Sequence, residues 1–366
     1  MRKTVHEPVA HLVKRVDMDR KKAWLIRLIA FALSILACAI ITTAITKKDM
    51  GFFFKNFFGG AFSTPRRVWG LFHETALLLL VALAVTPCFK MRFWNIGGEG
   101  QILMGALGCA VVINFMGGKS SDAGTIVLSL VVAMVFGALW SMIPAIFKAK
   151  WNTNETLFTL MMNYIIIGVV RWLQGGPWEG RPGSQIIPQF DRAATLPKVL
   201  GVHCGWIIVL ILVVFMHVYM NHTKHGYEIA VIGDSINTAR YAGMNVGHVM
   251  MRTMFLSGAI SGLVGFIVAS GANTTLYDGV AAGVGFTSIT VAWLSQLNAF
   301  AMIVISMMLA IISKGAETLQ TRLAVPASIS DIITGILLFC MLGCEFFINY
   351  RLIFRSSKTE KEAAKE

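Results

Sequence analysis

The sequence predicts an all-α, polytopic transmembrane helical bundle of about ten spans, with broken or half helices near the midplane. Three observations predict it. Hydrophobic residues fill 56% of 366 positions and charged residues only 14%. The charges collect at the ends and in short loops, so Leu28–Thr46, Gly124–Phe147, Thr253–Tyr277 and Gly279–Ser313 carry none. A span needs about 20 apolar residues. The first three runs can each cross once, and the fourth can cross twice with a turn near Ser295-Gln296-Leu297-Asn298. The third observation is Asn95-Ile96-Gly97-Gly98-Glu99-Gly100-Gln101, polar and glycine-rich, between two hydrocarbon-length apolar runs. A soluble all-helical protein would need a core larger than its polar surface can cover.

The elements follow in order. Met1–Arg27 carries Arg2, Lys3, Lys14, Arg15, Arg20, Lys21, Lys22 and Arg27. A basic run before a first span keeps the N-terminus in the cytoplasm. Leu28–Thr46 is too long for a signal peptide and lacks the small-residue cleavage pattern, so it reads as retained. Spans are expected at 25–46, 69–89, 101–117, 124–147, 155–173, 204–221, 249–271, 283–297, 299–314 and 328–350. Both termini then face the cytoplasm, with 20 Lys and Arg inside against 12 outside, a bias of the right sign. The exception is the outside segment Lys47–Arg67, where Lys47, Lys48, Lys55, Arg66 and Arg67 flank a Phe-rich stretch. That stretch reads as an amphipathic helix in the interface.

The expected organisation is a basic cytoplasmic segment over 1–24, a transmembrane domain over 25–350 and a cytoplasmic tail over 351–366. Within the domain lie an external loop, 175–204, and a cytoplasmic loop, 221–248. The external loop holds Pro177, Pro182, Pro188 and Pro197 with Trp178. The core of the cytoplasmic loop, Glu228–Tyr241, reads as one or two short helices, with Asp234 and Ser235 offering N-cap chemistry.

Irregular backbone at membrane depth is tolerated only where it is buried in protein or lines a water-filled cavity. An ionisable residue there marks a functional site by default. The segment 95–101 therefore reads either as part of a polar path through the bilayer or as a loop whose helix starts at Gln101, with Glu99 capping it. A second Gly-rich break, 279–285, falls in the corresponding half, and paired interruptions point to a site between two repeats. Asn163 and Tyr164, in the fifth expected span, suit either cross-helix bonding or solute contact.

Other motifs weigh less. The formal charge of +13 invites a nucleic-acid reading, but no basic face interleaved with aromatics lies on a soluble domain. Gly118-Lys119-Ser120 resembles the end of a phosphate loop, yet Ile113 stands where the first glycine belongs. Gly258-x-x-x-Gly262 permits close helix approach. His217, near a span end, reads as an interfacial or packing residue. The six cysteines, Cys38, Cys88, Cys109, Cys204, Cys340 and Cys344, form no C-x-x-C pair and read as packing residues. Nothing resembles a nucleophile–base pair or a metal cluster, so no enzyme activity and no metal are expected.

Four stretches, in order, carry a resemblance. Phe93–Gln101 resembles an F-N-I-G-x-E-G-Q signature, with Trp94 the departure. Asn154–Tyr164 resembles N-E-V-I-x-T-I-M-L-N-Y. Gly226–Asn245 resembles a glycine- and alanine-rich cytoplasmic segment, departing at Ala230 and at Asp234-Ser235. Gly285–Ala292 resembles G-F-x-G-I-A-V-A with Ser288 for a glycine, followed by Gly315, Gln320 and Pro326. Ser295-Gln296-Leu297-Asn298 stands at an R-N-N-P turn. Over about 75–350 the chain is similar to the integral-membrane permeases of bacterial ABC importers, in the branched-chain amino-acid and simple-sugar permease family, nucleoside branch.

The resemblance implies a permease subunit in the bacterial cytoplasmic membrane that forms the translocation pathway for a small neutral solute, nucleosides first. It implies partners: ATP-binding cassette subunits that hold ATP and Mg, a second, non-identical permease, an extracytoplasmic solute-binding lipoprotein, and membrane lipid. This chain itself would bind no cofactor. Asn95, Glu99, Gln101, Asn163, Phe286 and Thr287 are the candidate pathway residues. Gly226, Glu228, Gly233, Asp234, Asn237, Ala239, Arg240, Tyr241 and Gly243 are the candidate ATPase-coupling residues. The alternatives are the same importer carrying simple sugars, or an ion-coupled secondary transporter using Glu99 or Glu155. A membrane enzyme has little support.

Overall fold

The computed structural model describes residues 10–14, 19–116, 122–190, 196, 198–199, 202–203, 205–323 and 327–354. The Gly118-Lys119-Ser120 motif, Pro197, Cys204, Pro326 and the tail beyond Phe354 lie outside them.

The described chain is helical. Its helices are α1 Arg20–Thr46, α2 Met50–Phe62, α3 Pro65–Lys90, α4 Gly98–Met116, α5 Asp122–Trp151, α6 Glu155–Gln174 and α7 Gly205–His222. They continue as α8 Lys224–Asp234, α9 Ile236–Tyr241, α10 Val246–Phe266 with a π-helical extension over Ile267–Asn273, α11 Val284–Leu294, α12 Ala299–Leu323 and α13 Ala327–Asn349. Short polar side chains set their starts. Asp19, Thr64, Asn154, Thr223, Ser235 and Asn245 each accept a backbone N–H in the first turn of α1, α3, α6, α8, α9 and α10. Pro65 adds its preset φ at the start of α3.

The chain divides into two compact units, residues 1–60 with 312–366, and residues 61–311. In the first, α1 packs on α13 through Ala23, Cys344 and Ile348, and Arg27 pairs with Glu345. The Phe-rich segment is a helix, as expected, but it buries Phe53 and Phe57, with Phe57 packed on Gly315. Only its other face, with Phe58 and Phe62, is exposed. One two-stranded antiparallel ribbon pairs Ala10–Lys14 with Tyr350–Phe354, which takes the start of the expected tail into ordered structure.

In the second unit, α10 lies in backbone contact with α4 and α5. A side chain at Gly105 or Gly262 would strike the facing helix backbone, and one at Gly258 would strike Gly137 and Ser141. Ser141 Oγ donates to the Met254 carbonyl at 2.6 Å. Small residues here bring helices close enough for dispersion to hold them without any gain from apolar burial.

Eight helices are long and apolar enough to cross a membrane, and they fall on eight of the ten expected spans. The tenth expected span falls on α13. The span expected at 283–297 is different. The helix there, α11, has 11 residues and is about 16 Å long, half a bilayer. Left-handed backbone breaks it at both ends: Ala282 and Gly283 at φ 50° and 75°, Gln296 and Leu297 at φ 52° and 60°. Both ends fall in segments the sequence marks, the Gly-rich 279–285 and the turn at Ser295-Gln296-Leu297-Asn298, but neutral composition does not show how short the helix between them is.

Candidate translocation site

The break before α4 climbs into the bundle. After α3, Arg92 turns the chain at φ 59°. An extended leg then runs to Gly97, and α4 starts at Gly98. Gly98 packs against Val81, nine residues inside the end of α3 at Lys90, which is about 13 Å along that helix. Asn163, which holds the same leg, lies eight residues into α6, about 12 Å. Both rulers place the start of α4 near half the bundle's depth.

Extended backbone at that depth needs partners for every N–H and C=O. One α6 face supplies them. Thr159 Oγ1 accepts from the Ile96 N–H at 3.2 Å. Asn163 Nδ2 donates to the Ile96 carbonyl at 3.0 Å, and its Oδ1 accepts from the Gly100 N–H at 2.9 Å. Asn95 Oδ1 accepts from the Gly97 N–H at 3.0 Å and from Gln101 Nε2 at 3.2 Å. Asn95 Nδ2 donates to Ser257 on α10 at 3.3 Å. Asn95, Gln101 and Asn163 are therefore buried scaffold of the site. Only Gln101 Oε1 lacks a protein partner in this network.

Glu99 joins the two breaks. Its Oε1 accepts from the Gly283 N–H and its Oε2 from the Gly285 N–H, both at 2.8 Å. The carboxylate thus caps α11 from the first turn of α4, where two positive helix ends meet. A side chain at Gly285 would strike the Glu99 backbone, so only glycine lets the half helices meet. The sequence leaves Glu99 either in a polar path or capping its own helix. The cap is made instead to α11, 184 residues away along the chain. Thr287 and Phe286 follow on α11: Thr287 Oγ1 donates to the Gly283 carbonyl at 3.2 Å, and Phe286 is exposed.

The loop after α7 forms two short helices joined at Ser235, which caps α9, while Asp234 ends α8. Gly226 packs on the Met220 backbone at the end of α7. Gly233 packs on the Lys90 carbonyl at the end of α3. Glu228 pairs with Arg252 of α10 at 2.6 Å. Burial first, then the Arg252 guanidinium, hold the neighbouring His225 imidazole below its usual pKa. These contacts bind the loop to α7, α3 and α10. Ala239 is fully buried, so it packs the loop inward. Asn237, Arg240, Gly243 and Tyr241 are exposed, Tyr241 at 93%.

Sequence reasoning missed Thr159, Ser257 and Arg252. Thr159 stood four residues before Asn163, on the same helical face, and that spacing was the available signal. Nothing in a neutral span singled out Ser257.

Two half helices meet inside a polytopic helical bundle, with two short capped helices at the end of α3. Residues 69–342 match the family described as branched-chain amino acid transport system, permease component. This chain belongs to that family and is a multi-pass membrane permease of the ABC-transporter type. It is 32% identical over 292 residues to the glucose ABC transporter permease TsgB13 of Haloferax volcanii, covering 75% of this chain and 76% of that one. It is 27% identical to the guanosine ABC transporter permease NupP of Bacillus subtilis over 93% of this chain and 97% of that one. The nucleoside ABC transporter permease NupB of Lactococcus lactis is 24% identical over 95% and 98%.

Proposed function

We propose that this chain is the permease subunit of an ATP-driven importer for a neutral nucleoside. The observation that carries a neutral solute is the Glu99 clasp. Each carboxylate oxygen accepts an amide N–H where two positive helix ends meet, so its charge is matched within the protein rather than presented to a cationic solute. Exposed aromatic rings such as Phe286 suit the flat base of a nucleoside. The nucleoside relatives align with 93% and 95% of this chain. The glucose relative is more identical over a shorter stretch, which favours a simple sugar as the second reading. The clasp also argues against ion coupling through Glu99, whose carboxylate is already engaged. Glu155, the other candidate for ion coupling, pairs with Lys148 at 2.9 Å.

In this reading α8 and α9 face the cytoplasm with both chain ends, and a partner ATPase holds ATP and Mg there. ATPase closure pushes on the exposed tip at Tyr241. Acting as one lever, these helices pass the push through Gly233 to Lys90, and from there along the leg to the half-helix junction, as packed elements shift rigidly. A second permease completes the pathway, and a solute-binding lipoprotein delivers solute to the opposite face. Uptake of labelled guanosine and glucose into cells with and without this chain tests the reading. Chain-dependent guanosine uptake is expected. Uptake of glucose alone gives the protein to the second reading.

A further inference from the structure

We propose that Trp94 and Trp293 form a stacking platform for the solute's base at the inner end of the pathway. This rests on the nucleoside reading above. Trp94 is an outward indole on an otherwise buried leg: Phe93 and Asn95 are buried, while Trp94 is 46% exposed. Its ring stacks on Trp293, with centroids 5.4 Å apart and planes 22° apart. Phe89 supports both from behind at 5.9 and 5.8 Å. Trp293, 40% exposed, lies seven residues after Phe286, 44% exposed, so both share one face of α11. That face starts at the Glu99 clasp and ends at the indole pair. Phe286, near the junction of the half helices, and Trp293, near the end of α3, thus lie about 10 Å apart along that face.

A base has two π faces and pairs with any aromatic surface, whatever its edge pattern. A platform of this kind accepts purine and pyrimidine nucleosides alike. Stacking of this kind carries no selection among base edges. The rival explanation is an interfacial tryptophan belt, which anchors a helix end in headgroups and needs no solute. The two differ in what a flat ring does that an apolar side chain cannot.

The test uses the assembled importer, with its ATPase, partner permease and binding protein, in proteoliposomes fed with ATP and labelled guanosine or uridine. Trp94→Leu and Trp293→Leu keep an apolar side chain and remove the π face. Each is expected to lower uptake of both nucleosides by about 5- to 150-fold, the worth of one base stack. Trp94→Phe and Trp293→Phe are expected to stay within a few-fold of the parent. Complex yield, followed for every variant by co-purification of the ATPase, is expected to be unchanged. Parent-level nucleoside uptake in the Leu variants overturns the platform and leaves the nucleoside reading standing. Loss of complex in the Leu and Phe variants alike overturns it in favour of a belt. A parent importer that moves glucose and no nucleoside overturns the reading itself.

Discussion

At the residue scale, Glu99 and Asn163 each hold backbone that would otherwise be orphaned in an apolar surrounding. Glu99→Gln keeps one acceptor for two donors and removes the charge. Hydrogen bonds to charged groups contribute about 1.5–3 kcal/mol, so the clasp should loosen while the chain still inserts. Solute uptake is expected to fall at least about tenfold, the equivalent of about 1.4 kcal/mol. Unchanged uptake in Glu99→Gln, and in Asn95→Ala as well, would make the segment a helix cap outside the route. Asn163→Ala strips partners from the Ile96 carbonyl and the Gly100 N–H together. Each buried group left unpaired costs about 1–3 kcal/mol. The melting temperature of the purified chain in detergent should drop more for Asn163→Ala than for Tyr164→Ala, whose side chain is exposed. Equal shifts would remove Asn163 as the leg's anchor.

At the element scale, the lever of α8 and α9 divides into an inward and an outward face, and substitutions on the two should fail differently. Ala239→Asp puts a charge into a fully buried position. An unpaired buried charge costs several kcal/mol, so this variant should lose folded yield as well as coupling. Tyr241→Ala leaves the fold intact, because its ring is exposed. It should lower solute-stimulated ATP hydrolysis by the partner while yield stays normal. Normal stimulation in Tyr241→Ala would remove the tip as the contact. Gly233→Ala is the internal control. Its added methyl meets the Lys90 carbonyl, so α8 must move away from α3. Uptake should uncouple from ATP hydrolysis even though residue 233 faces no partner. The lever was legible in the sequence as a polar, helix-capped stretch between spans. Its inward face was not, because which residues turn inward is set by Met220 and Lys90, each from another helix.

At the scale of the whole molecule, the permease family and the engaged Glu99 make energy supply a property of the assembly. Vesicles carrying the complete importer should take up solute only with ATP and the ATPase chain present, and a protonophore should leave the initial rate unchanged. Uptake by this chain alone, driven by a proton or sodium gradient, would return it to the ion-coupled class. Among the described residues eight helices are long and apolar enough to cross, α13 stands at the tenth expected span, and α11 reaches half way. Composition counts residues that tolerate hydrocarbon, and it cannot tell one long run with a turn from a half helix preceded by a re-entering loop. Left-handed residues at 282–283 and 296–297 make that distinction, and only two of them follow a glycine-rich pattern.

The sequence by itself determined the class, the family resemblance, most of the spans and the two polar breaks, because solvent transfer and capping act locally on the chain. It also picked out Asn95, Glu99, Gln101 and Asn163 as residues too polar for their depth. Tertiary structure decided what they do. Three of them proved to be the buried scaffold of an extended leg, and the fourth binds a helix nearly two hundred residues away along the chain. Partner choice for a buried polar group depends on which backbone atoms the fold leaves unpaired beside it, and no local pattern records that.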